Sequence, residues 1–266
     1  MGNDNNSKMR VTPLVNGIKE DSNRLMYLLN MMRDGYQKNR WKNKEIGIIQ
    51  EIYCEGCDLK VKSLPPTTER LVWLVENLKK AIGGRELDPE NKATKHRNEL
   101  IDHESRTLLE AKTNILSYDA SKNFPHKWWV LESNYQPDIF ILTDKYIFVG
   151  DVKGPEESFT KSTNMDVDRL QLVREIEGAM KYEKYNYIGG KQRQVISFYI
   201  VSEDFLGRNE NKADLEKTMN GDVSMWDNSL KHLSHQSIEE IKETYIGFTT
   251  WEDITETLGF IFTDVQ

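Results

Sequence analysis

Cysteine is scarce in this chain: there are two in 266 residues, and both fall in a single Cys54-x-x-Cys57. That is too few for a disulfide-stapled scaffold, and a four-ligand zinc site would have to recruit histidines or another subunit. The pair reads as reduced structural thiols in a cytoplasm. No apolar run approaches the ~20 residues of a membrane span. The start, Met1-Gly-Asn-Asp-Asn-Asn, is polar throughout and argues against a secretory signal, and Ser7 falls one place late for a myristoylation pattern at Gly2. Repeats and low-complexity tracts are lacking too. So is a surplus of positive charge: 36 Lys and Arg against 43 Asp and Glu give −7, which denies the protein a global attraction for nucleic acid. Any phosphate must then be bound from a local basic surface. Lys38, Arg40, Lys42 and Lys44, interleaved with Trp41 near Tyr36, offer charges plus a stacking ring, or else a solvated linker.

What is present is enough for a sizeable core, since 38% of the residues are hydrophobic. Residues 1–91 read as a mainly helical N-terminal region. One helix carries Leu25, Leu28 and Leu29, and another follows Pro65-Pro66-Thr67 and ends at Gly83-Gly84. Residues 92–266 read as the core with a C-terminal extension. Within it, 166–184 has the period of an amphipathic helix, and Val195 to Val201 reads as a buried strand. The stretch 205–230 is polar and reads as an exposed insertion. A short helix over 237–245, a turn at Gly247-Phe248-Thr249-Thr250 and a final helix capped by Thr250 follow.

The segment 137–153 carries the chemistry. Two β-branched and aromatic runs flank Thr143-Asp144-Lys145, so it folds most simply as a hairpin. Side chains repeat every two residues, which points Asp151 and Lys153 the same way, with Asp138 across from them at the mouth of the first strand. Asp138, Asp151 and the Val152 carbonyl are oxygen ligands suited to a hard divalent cation. Such an ion acidifies a bound water and offsets charge building on phosphorus, and Lys153 adds a fixed positive charge beside the scissile phosphate.

Pro137-Asp138, twelve residues, then Asp151-x-Lys153 resembles the PD-(D/E)xK nuclease superfamily. Trp129-Val130-Leu131-Glu132, Arg169-x-Gln171, Phe198-x-Ile200-Val201 and Gly247-Phe248-Thr249-Thr250-Trp251 are similar to uncharacterised bacterial members, which carry Glu-x-Lys where this chain has Asp-x-Lys. The resemblance does not reach the first 90 residues. It implies an α/β restriction-endonuclease-like core, a mixed central sheet flanked by helices, with an N-terminal helical elaboration. It also implies Mg²⁺ or Mn²⁺ as cofactor and a third ligand from a preceding helix.

Residues 93–116 lack Gly and Pro, and a continuous helix there puts Leu100, Glu104, Leu108, Ala111 and Ile115 on one stripe. Glu104 is therefore the expected inward carboxylate. His103, at the stripe's edge, is either a helix-surface residue or a nitrogen ligand favouring Mn²⁺. Lys161, Thr160 and Thr163 in the hydroxyl-rich loop, with Arg169 and Gln171 at the next helix start, are the expected nucleic-acid contacts. The expected activity is metal-dependent phosphodiester hydrolysis by a cytoplasmic endonuclease, on DNA more than RNA, in restriction or defence. A homodimer is open to it and no membrane is involved. The alternatives are a viral cap-snatching RNA endonuclease and a non-catalytic nucleic-acid-binding module that keeps the fold.

Overall fold

The computed structural model describes residues 5–33, 41, 44–54, 63–83, 92–118, 128, 131–154, 161–163, 166–186, 192–219 and 222–260. Its centre is a mixed five-stranded sheet. The hairpin forms as the sequence predicts: β2 (Ile139–Thr143) and β3 (Tyr146–Lys153) pair antiparallel around a turn at Asp144 and Lys145. Strand β6 (Gln194–Val201) lies parallel to β3, with Asp151 opposite Tyr199 and Lys153 opposite Val201. The sheet order is β1-β2-β3-β6-β7, with β1 (Ile49–Cys54) and β7 (Tyr245–Thr250) at its edges, and helices cover both faces.

Both edge strands depart from the sequence reading. Strand β1 (Ile49–Cys54) comes from the region expected to be mainly helical and pairs antiparallel with β2. Strand β7 (Tyr245–Thr250) replaces the expected turn and runs parallel to β6. All six of its residues are buried, with Thr249 and Thr250 fully covered, so pairing to the sheet overrides the turn-like Gly-Phe-Thr-Thr composition.

Strand parity divides the core. Phe140, Leu142, Ile147, Val149, Tyr199 and Val201 face one side and pack on helix α6 (Gln171–Asn186), the 3-10 helix Ser224–Leu230 and α9 (His235–Lys242). Ile139, Ile141, Phe148, Val152, Ile196, Phe198 and Ile200 face the other side. There they meet α1 (Asn5–Glu20), α2 (Asn23–Asn30) and α10 (Trp251–Leu258), which Thr250 caps by accepting from the Asp253 amide at 3.1 Å. Burying each large apolar side chain contributes roughly 1.5–3 kcal/mol, and α1 and α2 spend theirs on the sheet itself. A third cluster joins α3 (Thr68–Ala81) to α4 (Lys92–Ile101) and α5 (Ser105–Leu116).

Five further expectations are corrected. The helix over 93–116 breaks into α4 and α5 at a turn, where His103 adopts φ 55°. The helix expected from 166 begins at Gln171, because 166–170 forms strand β5 (Asp166–Leu170), paired with the short β4 (Lys161–Thr163). The stretch 205–230 is packed rather than exposed: Phe205 in α7 (Glu203–Leu206), Leu215 in α8 (Asn209–Met219), Trp226 and Leu230 are all buried. Trp41 is also buried, edge-on to Tyr146 at 5.1 Å, so its ring is not available for stacking on bases. Lys44 lies exposed over that ring, and Tyr36, Lys38, Arg40 and Lys42 fall outside the described residues. Cys54 is buried and disulfide-bonded rather than a reduced thiol, and Cys57 also lies outside the described residues. No helix among the described residues is long and apolar enough to cross a membrane.

Candidate active site

The hairpin brings together the three side chains that the sequence singled out. Ile139 pairs with Gly150, so Asp138 meets Asp151 where the two strands leave register, and Asp138 Oδ2 accepts from the Val152 amide at 2.7 Å. Asp151 Oδ1 lies 2.8 Å from Lys153 Nζ. Asp138, Asp151 and Lys153 are 5%, 1% and 2% exposed, an enclosed position in which an unpaired charge would be costly. They stand at the carboxyl end of β3, the end at which open α/β sheets bind ligands.

Parity also decides which helix completes the site. Asp138, Asp151 and Lys153 continue the face of Phe140, Ile147 and Val149, and that face is covered by α6. Gln171, on its first turn, accepts from Lys153 Nζ at 3.2 Å and donates through Nε2 to Glu175 Oε1 at 3.2 Å, one turn further on. Burial pushes the Glu175 carboxyl well above its ordinary range. The charges of Asp151 and Asp138 add to this, and Lys153 and the Gln171 bond oppose it. Burial and the Asp151 charge also raise the Tyr199 phenol. The cluster is thus short of positive charge. Glu175 Oε2 is buried without a hydrogen-bond partner. Asp151 Oδ1 has only the Lys153 charge, with no donor aligned on it.

Glu104 is not part of this arrangement. It is the exposed cap residue between α4 and α5, accepting only through its backbone from the Leu108 amide, and His103 beside it is exposed as well. Leu100, Ala111 and Ile115 are buried as the helical period predicts, but the turn at 102–104 rotates Glu104 out of their stripe. Gln171 reaches the site, although as a partner of Lys153 rather than at a groove. Arg169 does not: it is 1% exposed and locked between Glu132 and Glu177. Lys161 and Thr163 lie in β4, and Thr160 falls outside the described residues. Glu175 was missed. Its signal was a carboxylate inside the apolar stripe Leu172, Val173, Ile176 and Ala179, spaced four residues from Gln171.

A second buried polar cluster joins α3, β5 and α6. Arg70 of α3 donates to Glu132 at 2.8 Å and to Asp166. Arg169 donates to Glu132 at 3.2 Å and to the Ser229 carbonyl at 3.1 Å, and pairs with Glu177, which also meets His232 at 2.6 Å. Burial would raise the Glu132 carboxyl, but Arg169, Arg70 and Arg174 bring it down to about 2.

No group of three or more His, Cys, Asp or Glu side chains among the described residues is gathered closely enough to cage an ion unaided. The oxygens that fit a divalent cation are those of Asp138, Asp151 and the Val152 carbonyl, with the unpartnered Glu175 Oε2 nearby. Compared with protein-family models, curated proteins and solved structures, the chain matches none of them.

Proposed function

We propose that this protein is a divalent-metal-dependent phosphodiesterase with a restriction-endonuclease-like core, acting on DNA. The observation that carries this reading is the convergence of Asp138, Asp151 and Lys153 on one enclosed face of the hairpin, opposite Gln171 and Glu175. Two aspartates and a third carboxyl against a single lysine leave a deficit of positive charge that Mg²⁺ or Mn²⁺ would make good. Asp138, Asp151 and the Val152 carbonyl would hold the ion, which supplies charge neutralisation at phosphorus and an acidified water.

The chain's own groups do the rest. Asp138 is fixed by the Val152 amide, so one carboxylate oxygen is oriented before any ligand arrives. Lys153 is held by Asp151 and Gln171, which keeps its ammonium at the same edge for a phosphate oxygen. Apolar Phe140, Val149 and Val201 exclude bulk water beneath, strengthening each charge interaction. The RNA-directed alternative drew on His103 as a helix ligand, and the exposure of His103 removes that support.

The test is incubation of purified protein with plasmid, single-stranded DNA and RNA, each with Mg²⁺, Mn²⁺ and EDTA, together with calorimetric metal titration. Asp151→Ala and Asp138→Asn should abolish cleavage and metal binding. Asparagine is chosen at 138 because it can still accept from the Val152 amide. Unchanged metal affinity in both variants would sink the site, and metal binding without cleavage would leave a binding module.

A further inference from the structure

Three arginines surround Glu132, and they are not equivalent. Arg70 and Arg169 are both buried and each donates to two carboxylates, Glu132 and Asp166 for one, Glu132 and Glu177 for the other, although Arg169 Nε itself has no partner. Arg174 has what remains. Among the described residues its ion-pair partner is Glu132 Oε1, 3.9 Å from Nε and beyond hydrogen-bond reach, and that oxygen already serves Arg169. Arg174 Nε is buried with no partner, and its guanidinium rests on the Tyr135 ring, 4.3 Å from the centroid. Desolvation outweighs its nearby acids and lowers its pKa.

The placement of this side chain ties it to the site. Arg174 follows Gln171 by three residues on α6 and precedes Glu175, while Tyr135 precedes Asp138 by three and donates its hydroxyl to the Arg174 carbonyl. A Cβ on Gly178 would sit 1.7 Å from that hydroxyl, so the tyrosine docks closely against α6. Arg174 thus bridges the two segments that carry Asp138 and Glu175. Its side chain is 14% exposed, against 2% for Lys153, which is already committed to Asp151 and Gln171. A ring-stacked guanidinium short of acceptors is pre-organised for a planar, two-point contact with phosphate oxygens.

We infer that Arg174 is the residue through which this site takes hold of a backbone phosphate of a nucleic-acid strand. The inference rests on the phosphodiesterase reading for the site's chemistry, but it is tested by binding rather than by turnover. In a chain with net charge −7, one such contact forms a large share of the local attraction.

The experiment measures fluorescence anisotropy of labelled single-stranded DNA, duplex DNA and RNA oligonucleotides, in EDTA and in Ca²⁺, over a series of salt concentrations. Arg174→Met should weaken binding about tenfold irrespective of base sequence. It should also flatten the slope of log affinity against log salt by about 0.7 on single strands or about 0.9 on duplex. Arg174→Lys keeps the charge without the fork, so it should retain the slope while losing part of the affinity. It also serves where the methionine variant folds poorly. A purely structural role would lower thermal stability and leave the salt slope alone, which would overturn the inference, as would a parent protein that binds none of the three oligonucleotides. A changed slope with no cleavage under any metal would instead count against the phosphodiesterase reading and leave the Arg174 contact standing.

Discussion

Glu132→Gln removes one charge from the middle of the buried arginine cluster and almost no volume. The carboxylate is fully buried, 2.8 Å from Arg70 Nε and 3.2 Å from Arg169 Nη2. Its pKa falls from an ordinary 4.5 to about 2, and each unit of that difference is worth about 1.4 kcal/mol, so it contributes about 3 kcal/mol at neutral pH. Breaking a buried pair from one side costs about 3–5 kcal/mol, because the abandoned charges stay desolvated. The two figures agree, and either is a large part of a total stability of about 5–15 kcal/mol. A folded pKa below the unfolded one means stability that is present above pH 4.5 and drains as pH falls toward 2. Urea denaturation followed by tryptophan fluorescence should therefore show the variant less stable by about 3 kcal/mol at pH 7, with the gap closing below pH 4.5. A gap below about 1 kcal/mol, or one constant from neutral to acid pH, would refute the reasoning.

Lys153→Ala should lose about 100-fold or more in turnover while binding metal at least as well as the parent, since it removes the cation that competes for Asp151. Calorimetric affinity falling as far as in the aspartate variants would show that Lys153 only organises the site. Glu104→Gln and His103→Ala, both exposed, should leave cleavage and the Mg²⁺/Mn²⁺ preference unchanged, and stability within about 0.5 kcal/mol. A marked loss of activity in either would mean that the break between α4 and α5 closes up when substrate binds.

The hairpin was legible because its information is local. Two continuous apolar runs, a turn at Asp144-Lys145 and two-residue parity place Asp138, Asp151 and Lys153 without reference to any other element. The helix contribution was not. It depended on which helix covers that face, and this is fixed by Phe140, Ile147 and Val149 packing on Val173 and Ile176 far along the chain. Periodicity chose Glu104 by assuming an unbroken helix, yet nothing in Asp102-His103-Glu104 announces a positive φ. A rule sensitive to buried charge would have flagged Glu175 and Glu177, each seated among the apolar residues of α6. Strand β1 carried alternation too weak to stand out, with burial on only two of its six residues. Arg169 looked like a surface cation because its partners, Glu132 and Glu177, are brought to it only by the tertiary fold.

A sheet ordered β1-β2-β3-β6-β7 cannot assemble from the outside in. Strands β2 and β3 are joined by a two-residue turn and can zip within microseconds. The edges must wait for loop closure, since Cys54 finds Ile139 and Tyr245 finds Ser197 only after long intervening segments are gathered. The acidic end of the hairpin therefore forms early, while water still screens Asp138 from Asp151. The repulsion between them is met only when α6 closes over the face, and by then the apolar contacts of Val173 and Ile176 are available to offset it. During that interval β6, apolar from Val195 to Val201 but for Ser197, presents an unpaired edge. The same strand that secures Asp151 and Lys153 in the finished molecule is thus the one most exposed to intermolecular pairing while the chain folds.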